Sequence, residues 1–322
     1  MPGHRAHPAQ WFLSTSLPKP MHARVLRYLD EVVRRGSIRK AAEHLHVAPT
    51  AVNRQILDLE AELGAPLFER INKRLRLTPL GEMVLAHVRQ TLREHDALRE
   101  RIEDFKGARR GEVTVAVTAG LAGSLMPSLV HDFRQRYPGI VVRVADLPVA
   151  DIIAAVEQGD ADLGLGYDLP ELPAFRALAT SDWQIGAVVP PGHALAARQS
   201  ALLSECVGYP LILPAPSLSI RAILDAAFAR NAIEVSPVAE STSTALIRQL
   251  VMLGTGIALL NPLDVTEERA RQALVYVPLR DRHLQGQTLT LVARARGPLS
   301  AAAELMAERI GDALAVLFAQ AR

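Results

Sequence analysis

Cysteine is almost absent from this chain of 322 residues: Cys206 stands alone. An internal disulfide is therefore excluded, and a reducing compartment is the natural setting. With no Cys/His ligand set around it, Cys206 reads as a buried structural thiol. Long apolar runs are lacking as well, and none reaches the length of a bilayer span. The segment WFLSTSL at residues 11–17 is too short and too polar for a signal-peptide core, and no small-residue cleavage site follows it. Catalytic signatures are missing too: there is no G-x-S-x-G, no HExxH, no P-loop and no Cys/His metal spacing. These absences predict a cytoplasmic protein that is not an enzyme, with no metal, no cofactor and no membrane partner.

What is present describes a globular protein of two or three domains, 49% hydrophobic and 22% charged. The formal net charge of +2 hides an asymmetry: residues 21–110 carry a net +5, and residues 111–322 a net −5. A basic front and an acidic back suggest a polyanion partner for the front alone, although solvated helix faces are also often charged.

Residues 1–20 hold four prolines, two histidines and no periodicity. They read as a disordered, dispensable extension, with Met21 as a plausible start. From Met21, Val25, Leu26, Leu29, Val32 and Val33 recur at helical spacing until Gly36 stops them. Ser37 suits the N-cap of a second helix, whose inner face is Ala41, Ala42 and Leu45. Pro49 suits the first position of a third, with Val52, Ile56, Leu59 and Leu63 facing inward and Gly64 ending it. LFERINKRLRLT then reads as a hairpin with a basic tip. Thr78 and Pro79 open a long helix running to about Phe105. Its seam of Val84, Leu85, Val88, Leu92, Leu98, Ile102 and Phe105, interrupted by His95, approaches a seven-residue repeat. That pattern predicts pairing with a second copy; packing on its own domain is the alternative.

From Gly111 strands and helices alternate, an α/β pattern long enough for two lobes with a cleft between them. Candidate strands begin with EVTVAVT, IVVRVADL and ADLGLGY and continue through QIGAVVPP, PLILP, VSPVAEST, GIALLN, LVYVPL and TLTLVARAR. Asp160 and Asp162 flank a strand start, where turn chemistry accounts for them. Gly254 and Gly256 read as a helix stop, because no Lys-Ser/Thr follows.

The stretch SIRKAAEHLHVAPTAVNRQI joins two short helices at a tight break. Thr50, Asn53 and Arg54 share one stripe of the second helix, and Val52, Ile56 and Leu59 the opposite one. This is the pattern of a helix-turn-helix, whose second helix enters the DNA major groove by its N-terminal end. An ordinary αα-hairpin carries such a stripe as well. Lys40, the basic hairpin tip and the positive front favour DNA, and His44 and His46 beside the turn read as surface or capping residues.

The ordered set Ala41-Ala42, Leu45, Ala51-Val52, Gln55-Ile56, Leu59-Glu60, Leu63-Gly64, Leu67-Phe68-Glu69-Arg70, Leu77-Thr78 and Gly81 resembles the LysR-type transcriptional regulators. YPGI, GDADLGL, YPLILP and LVMLGTGIALL extend the resemblance to about residue 320. It implies an α+β multi-domain chain: a winged helix-turn-helix at 21–78, a dimerising linker helix at 79–110, and a two-lobed effector domain at 111–322. The last resembles periplasmic binding proteins, with lobe I at about 111–182 and 286–322 and lobe II at about 183–285. The Ser-Gln common at the start of the family's recognition helix is Ala48-Pro49 here, and the later Ser or Thr is Asn53.

On this reading Lys40, Pro49, Thr50, Asn53, Arg54, Lys73, Arg74 and Arg76 contact double-stranded DNA, with Arg70 a weaker candidate. Thr50 and Asn53 would read bases, and the basic residues would hold phosphates. The resemblance places an effector cleft at the loops VTAGLAGSLMP and PAPSLSIR, with ESTST beside them. Thr118, Gly120, Ser124, Ser217, Leu218, Ser219, Thr242 and Ile257 are its expected lining. Two helix N-termini facing one cleft suit a small organic acid, although each serine taken alone reads first as an N-cap. Arg221 is a further candidate for charge balance. The expected function is a homo-oligomeric DNA-binding transcription regulator responding to a small carboxylate effector. The alternative is a ligand-binding or catalytic α/β domain with an N-terminal protein-interaction module.

Overall fold

The computed structural model describes residues 21–71, 74–105 and 111–321. The chain divides into two compact units at Arg93/Glu94.

The first unit contains α1 (Met21–Arg35), α2 (Ile38–His44), α3 (Pro49–Leu63), the strands β1 (Phe68–Ile71) and β2 (Arg74–Leu77), and the start of α4 (Pro79–Phe105). Tyr28, Val32, Ala41, Ala42, Val52 and Ile56 form one buried cluster. The alanine pair lets α2 lie close against its neighbours, because each removes several atoms that a larger side chain would place there. Ser37 stands at the N-cap of α2 but its hydroxyl makes no capping bond. Gly64 ends α3 in the left-handed region at φ 71°, where a Cβ would cost free energy.

The antiparallel hairpin β1–β2 is tied down at both ends. Glu60 Oε1 of α3 accepts from the Leu67 and Phe68 amides at 2.7 and 3.2 Å. Thr78 donates its amide to the Leu67 carbonyl at 3.0 Å and its hydroxyl to that of Pro66 at 2.8 Å. The same hydroxyl accepts from the Gly81 amide at 3.0 Å, capping α4 as its sequence position implies. A Cβ on Gly81 would lie 2.1 Å from the Leu67 carbonyl oxygen, so only glycine fits.

The seam of α4 corrects the sequence expectation in part. Leu29, Leu67 and Val88 form a second buried cluster, with Val84 and Leu92 packed against it. Leu85 is buried too. The first half of the seam therefore belongs to the core of its own unit. Leu98, further along, is 59% exposed.

The second unit contains two five-stranded sheets. Lobe I has β3 (Gly111–Val117), α5 (Ala119–Ser124), α6 (Met126–Arg136), β4 (Ile140–Asp146), α7 (Val149–Gln158), β5 (Leu163–Tyr167) and β6 (Phe175–Trp183). Lobe II follows with β7 (Gly186–Val189), α8 (Leu203–Cys206), β8 (Leu211–Pro214), α9 (Ser219–Arg230), β9 (Ala239–Ser241) and α10 (Thr244–Met252). It closes with β10 (Ile257–Leu260), a 3-10 turn at Pro262–Val265, α11 (Thr266–Ala270) and β11 (Val275–Pro278). The chain returns to lobe I as β12 (Gln287–Arg294) and α12 (Ala301–Ala321). Strand orders are β4-β3-β5-β12-β6 and β11-β7-β10-β8-β9. In lobe I the three parallel strands β4, β3 and β5 aim their C-terminal ends toward one edge, where open α/β sheets place their ligands.

Buried apolar side chains of β3, β5 and β12 pack with α5, α6 and α12 in lobe I, and those of β7, β8 and β10 with α8 and α9 in lobe II. The sequence reading omitted β6. Its residues are mostly exposed and alternate weakly, and its place is set by antiparallel pairing with β12.

Candidate nucleic-acid interface and interlobe cleft

The two faces of α3 are separated as the sequence predicts except at Leu63, which was expected to face inward and is exposed, because the last turn of the helix runs past the cluster that buries Val52 and Ile56. Val52 and Ile56 are buried, while Ala48, Pro49, Thr50, Asn53 and Arg54 are exposed. Pro49 opens the helix after Ala48, which offers no side-chain cap, so the first turn presents backbone and short side chains to solvent. Arg54 meets Asp58 only at 3.9 Å, with both side chains largely exposed. Such a pair is weak, and the guanidinium remains available to a phosphate. Lys40 on α2 and Arg76 on β2 are exposed as well. Lys73 lies outside the described residues. The turn before α3 is sharp because His46 adopts a left-handed conformation at φ 54°, a geometry the sequence did not mark with glycine.

In the second unit the lobes meet where α5 faces the 3-10 turn. Ser124 is fully buried, and its hydroxyl is spent on the carbonyls of Gly120 and Leu263. This corrects the expectation that Ser124 faces an effector: it is a fastener between the lobes. Arg248 of α10 does similar work, donating to the Asp264 carbonyl at 2.6 Å and the Gly123 carbonyl at 3.3 Å. Its Nε also lies 3.2 Å from Glu268 Oε1. Ile257, expected to line the cleft, is instead sealed in the core of lobe II. Arg221 donates to Asp225, Glu240 and the Pro214 carbonyl, so its charge is already neutralised.

The remaining expected residues divide by position. Ser217, Ser219 and Thr242 are exposed, and Leu218 is half-buried at the N-cap of α9. Ser219 Oγ accepts from Gln287 Nε2 at 2.9 Å, and the same amide donates to Asp168 Oδ2 at 2.8 Å. Gln287 Oε1 accepts from Asn261 Nδ2 at 3.2 Å, and the Asn261 amide donates to Asp264 Oδ2 at 3.3 Å. A continuous polar chain thus runs from the start of α9 through lobe I to the 3-10 turn of lobe II. Thr118 stands at the N-cap position of α5 without capping it. Gly120 lies against Asp264, and a Cβ there would be 2.1 Å from Asp264 Oδ1.

The sequence reading missed Asp264, Asn261, Gln287 and Tyr167. Burial pushes the Asp264 carboxyl up to about 7, against the lowering effects of the Asn261 amide and Arg248. Tyr167 is raised well above its ordinary value by burial first, then by Asp264, Tyr276 and Asp168. Six buried polar atoms have no hydrogen-bond partner among the described residues: Thr118 Oγ1, Tyr167 OH, Arg248 Nε, Asn261 Oδ1, Asp264 Oδ1 and Glu268 Oε2. The sequence did carry one signal, an Asn-Pro-Leu-Asp run directly behind a buried strand. Cys206 is buried in lobe II as expected, and burial, then Asp281 and Glu205, raise its thiol to about 12. A thiol so high is almost entirely protonated and unreactive.

Two family patterns match the chain: "Bacterial regulatory helix-turn-helix protein, lysR family" over residues 23–82 and "LysR substrate binding domain" over residues 106–315. The regulator CysB of Burkholderia cenocepacia is 29% identical over 280 residues, 86% of this chain and 88% of that protein. The dual regulator GltC of Bacillus subtilis is 30% identical over 260 residues, covering 80% and 86%. Among solved structures, a full-length OxyR from Pseudomonas aeruginosa aligns with a TM-score of 0.69 at 21% identity, covering 91% of this chain and 95% of that one. Full-length CbnR in complex with its target DNA aligns at 0.57 and 20% identity, covering 90% and 99%. With a buried helix-turn-helix core ahead of two α/β lobes, and with both family patterns matched, the chain belongs to the LysR family, a DNA-binding transcriptional regulator with an effector-binding domain.

Proposed function

We propose that Thr50 and Asn53 read bases in the major groove, that Lys40, Arg54, Lys73, Arg74 and Arg76 hold phosphates, and that Pro49 sets the approach of α3. The carrying observation is the clean division of α3, with Val52 and Ile56 buried and Thr50, Asn53 and Arg54 exposed. Asn53 can pair with adenine, and Arg54 with guanine or a phosphate. The described residues contain no helix long and apolar enough to cross a membrane, and the DNA partner supports a place in the cytoplasm. Exposed Leu98 on α4 supports a homo-oligomer in which the second half of the helix pairs with its copy.

The effector in this proposal is a small organic acid whose carboxylate docks at the start of α9. Ser217, Ser219 and Thr242 are exposed there, and the opening amides of a 12-residue helix favour negative charge. One relative bears the name hydrogen peroxide-inducible genes activator. The elevated, buried Cys206 thiol supports a bound small molecule over thiol oxidation as the signal here.

Footprinting on the DNA flanking its own gene tests the DNA reading. Asn53→Ala should cost about 1–3 kcal/mol on the protected site and little on random duplex. Arg76→Ala should weaken both alike. Equal losses on both duplexes for Asn53→Ala would remove it as a base reader.

A further inference from the structure

The inner wall of the interlobe cleft is built for hydrogen-bond donors. Asn261 Nδ2 is already committed to Gln287, which leaves Asn261 Oδ1 as an acceptor. Asp264 Oδ1 is an acceptor whenever the carboxyl is ionised, and Thr118 Oγ1 and Tyr167 OH can serve in either role. The obligate donor among the unpartnered atoms of the described residues, Arg248 Nε, lies 3.2 Å from Glu268 Oε1, so its charge is already faced by a carboxylate. Asn261, Asp264 and Tyr167 are each at least nine-tenths buried, so leaving them unsatisfied is costly. The fixed charges point the same way. Arg248 is committed to two carbonyls and Glu268, and Arg221 to two carboxylates and a carbonyl. Asp168 is satisfied by Gln287 and the Thr288 amide. Among the described residues of this wall, two carboxylate oxygens are still open to a cation, Asp264 Oδ1 and Glu268 Oε2, and Glu268 already faces Arg248 through its other oxygen.

We propose that this wall takes a protonated amine, so that the effector is a zwitterion, with its ammonium at Asp264, Asn261 and Tyr167 and its carboxylate at the start of α9. The proposal rests on the carboxylate reading above and adds the second recognition element. Three N–H donors of one ammonium match the acceptors that the wall offers. The polar chain Ser219–Gln287–Asn261–Asp264 connects the two ends. In the present arrangement Gly120 closes over Asp264 Oδ1. Entry of the amine therefore parts the lobes where Ser124 and Arg248 join them.

The groups facing Asp264 are the Asn261 amide, Arg248 on α10 and Tyr167 at the end of β5; Asp168 and Tyr276 in turn act on Tyr167, and Glu268 on α11 pairs with Arg248. Free, the buried acid is largely protonated below pH about 7. Binding replaces its proton by the ammonium: the carboxylic acid loses H⁺ to buffer, and the carboxylate and R–NH₃⁺ remain as an ion pair.

Calorimetry on the full-length protein tests this with straight-chain ω-amino acids from glycine to 6-aminohexanoate, the matched carboxylic acids without the amine, and the matched alkylamines. At least one amino acid should bind about tenfold or more tightly than its deaminated counterpart. Its heat below neutral pH should vary with the ionisation enthalpy of the buffer, reporting proton release. Asp264→Asn should abolish both the preference and the proton release, and Tyr167→Phe should weaken the preference while keeping the release. Equal binding of the deaminated acid would overturn the amine proposal and leave the carboxylate reading standing. Equal binding of the alkylamine would overturn the carboxylate reading, and the zwitterion with it. Failure of every amine-bearing probe at millimolar concentration would overturn the proposal.

Discussion

Asp264 illustrates how one side chain couples stability to pH. Its carboxyl titrates near 3.8 when solvated and at about 7 in the fold, because burial penalises the charge. A group raised in this way stabilises the fold fully below the solvated value. That contribution is lost as pH rises through about 4 to about 7, because the folded state there holds a proton that the unfolded chain has released. The loss amounts to at most about 4 kcal/mol for this shift. Asp264→Asn removes the titration and keeps the shape. Thermal unfolding should find the variant similar to the parent near pH 4 and more stable at pH 8. A parent and variant that declined together across this range would show that Asp264 is not the group responsible.

At the scale of elements, α4 is divided along its length between a buried first half and the exposed Leu98 further along. Val84, Leu85, Val88 and Leu92 are drawn into the core of the first unit, so only the later part of the seam is left for a second copy. Leu98→Glu would place a charge on each side of a two-fold contact, costing several kcal/mol if both stay ionised. Light scattering should then show a smaller assembly, and an unchanged mass would assign the contact to another surface. The seam was legible as a periodicity, but periodicity says which residues share a face and not which neighbour covers it. The same limit explains β6, whose exposed residues carry little pattern and whose position comes from pairing with a strand about 110 residues later. Helices α1 to α3 were legible because Gly36, Pro49 and Gly64 mark their ends and the apolar spacing fills them. The cleft was legible only in outline. Ser124 looks like a ligand contact until Leu263, 139 positions away, takes its hydroxyl. Asp264 looks like a turn residue until Gly120 is folded over it.

For the whole molecule, the basic front and acidic back separate two kinds of binding. In the proposed interface, contacts from Lys40, Arg54 and Arg76, with the basic residues of the hairpin, would displace counter-ions from DNA, so affinity should fall linearly with the logarithm of salt concentration. Three to five phosphate contacts per copy predict a slope of about −3 to −5 for one copy and twice that for a pair. The slope is read from binding isotherms at several salt concentrations. A nearly flat dependence would remove the phosphate assignments. Effector affinity should respond to salt far less, because a small ligand held by a few groups displaces few counter-ions.

The hairpin β1–β2 has no slack at its base. Thr78 grips the Pro66 and Leu67 carbonyls, and Gly81 admits the Leu67 oxygen against the helix backbone itself. The wing therefore behaves as a rigid crank on the first turns of α4: when those turns rotate, the strands sweep through an arc of the same angle. A few degrees about the helix axis re-aims the wing while every bond that ties its base stays as it was.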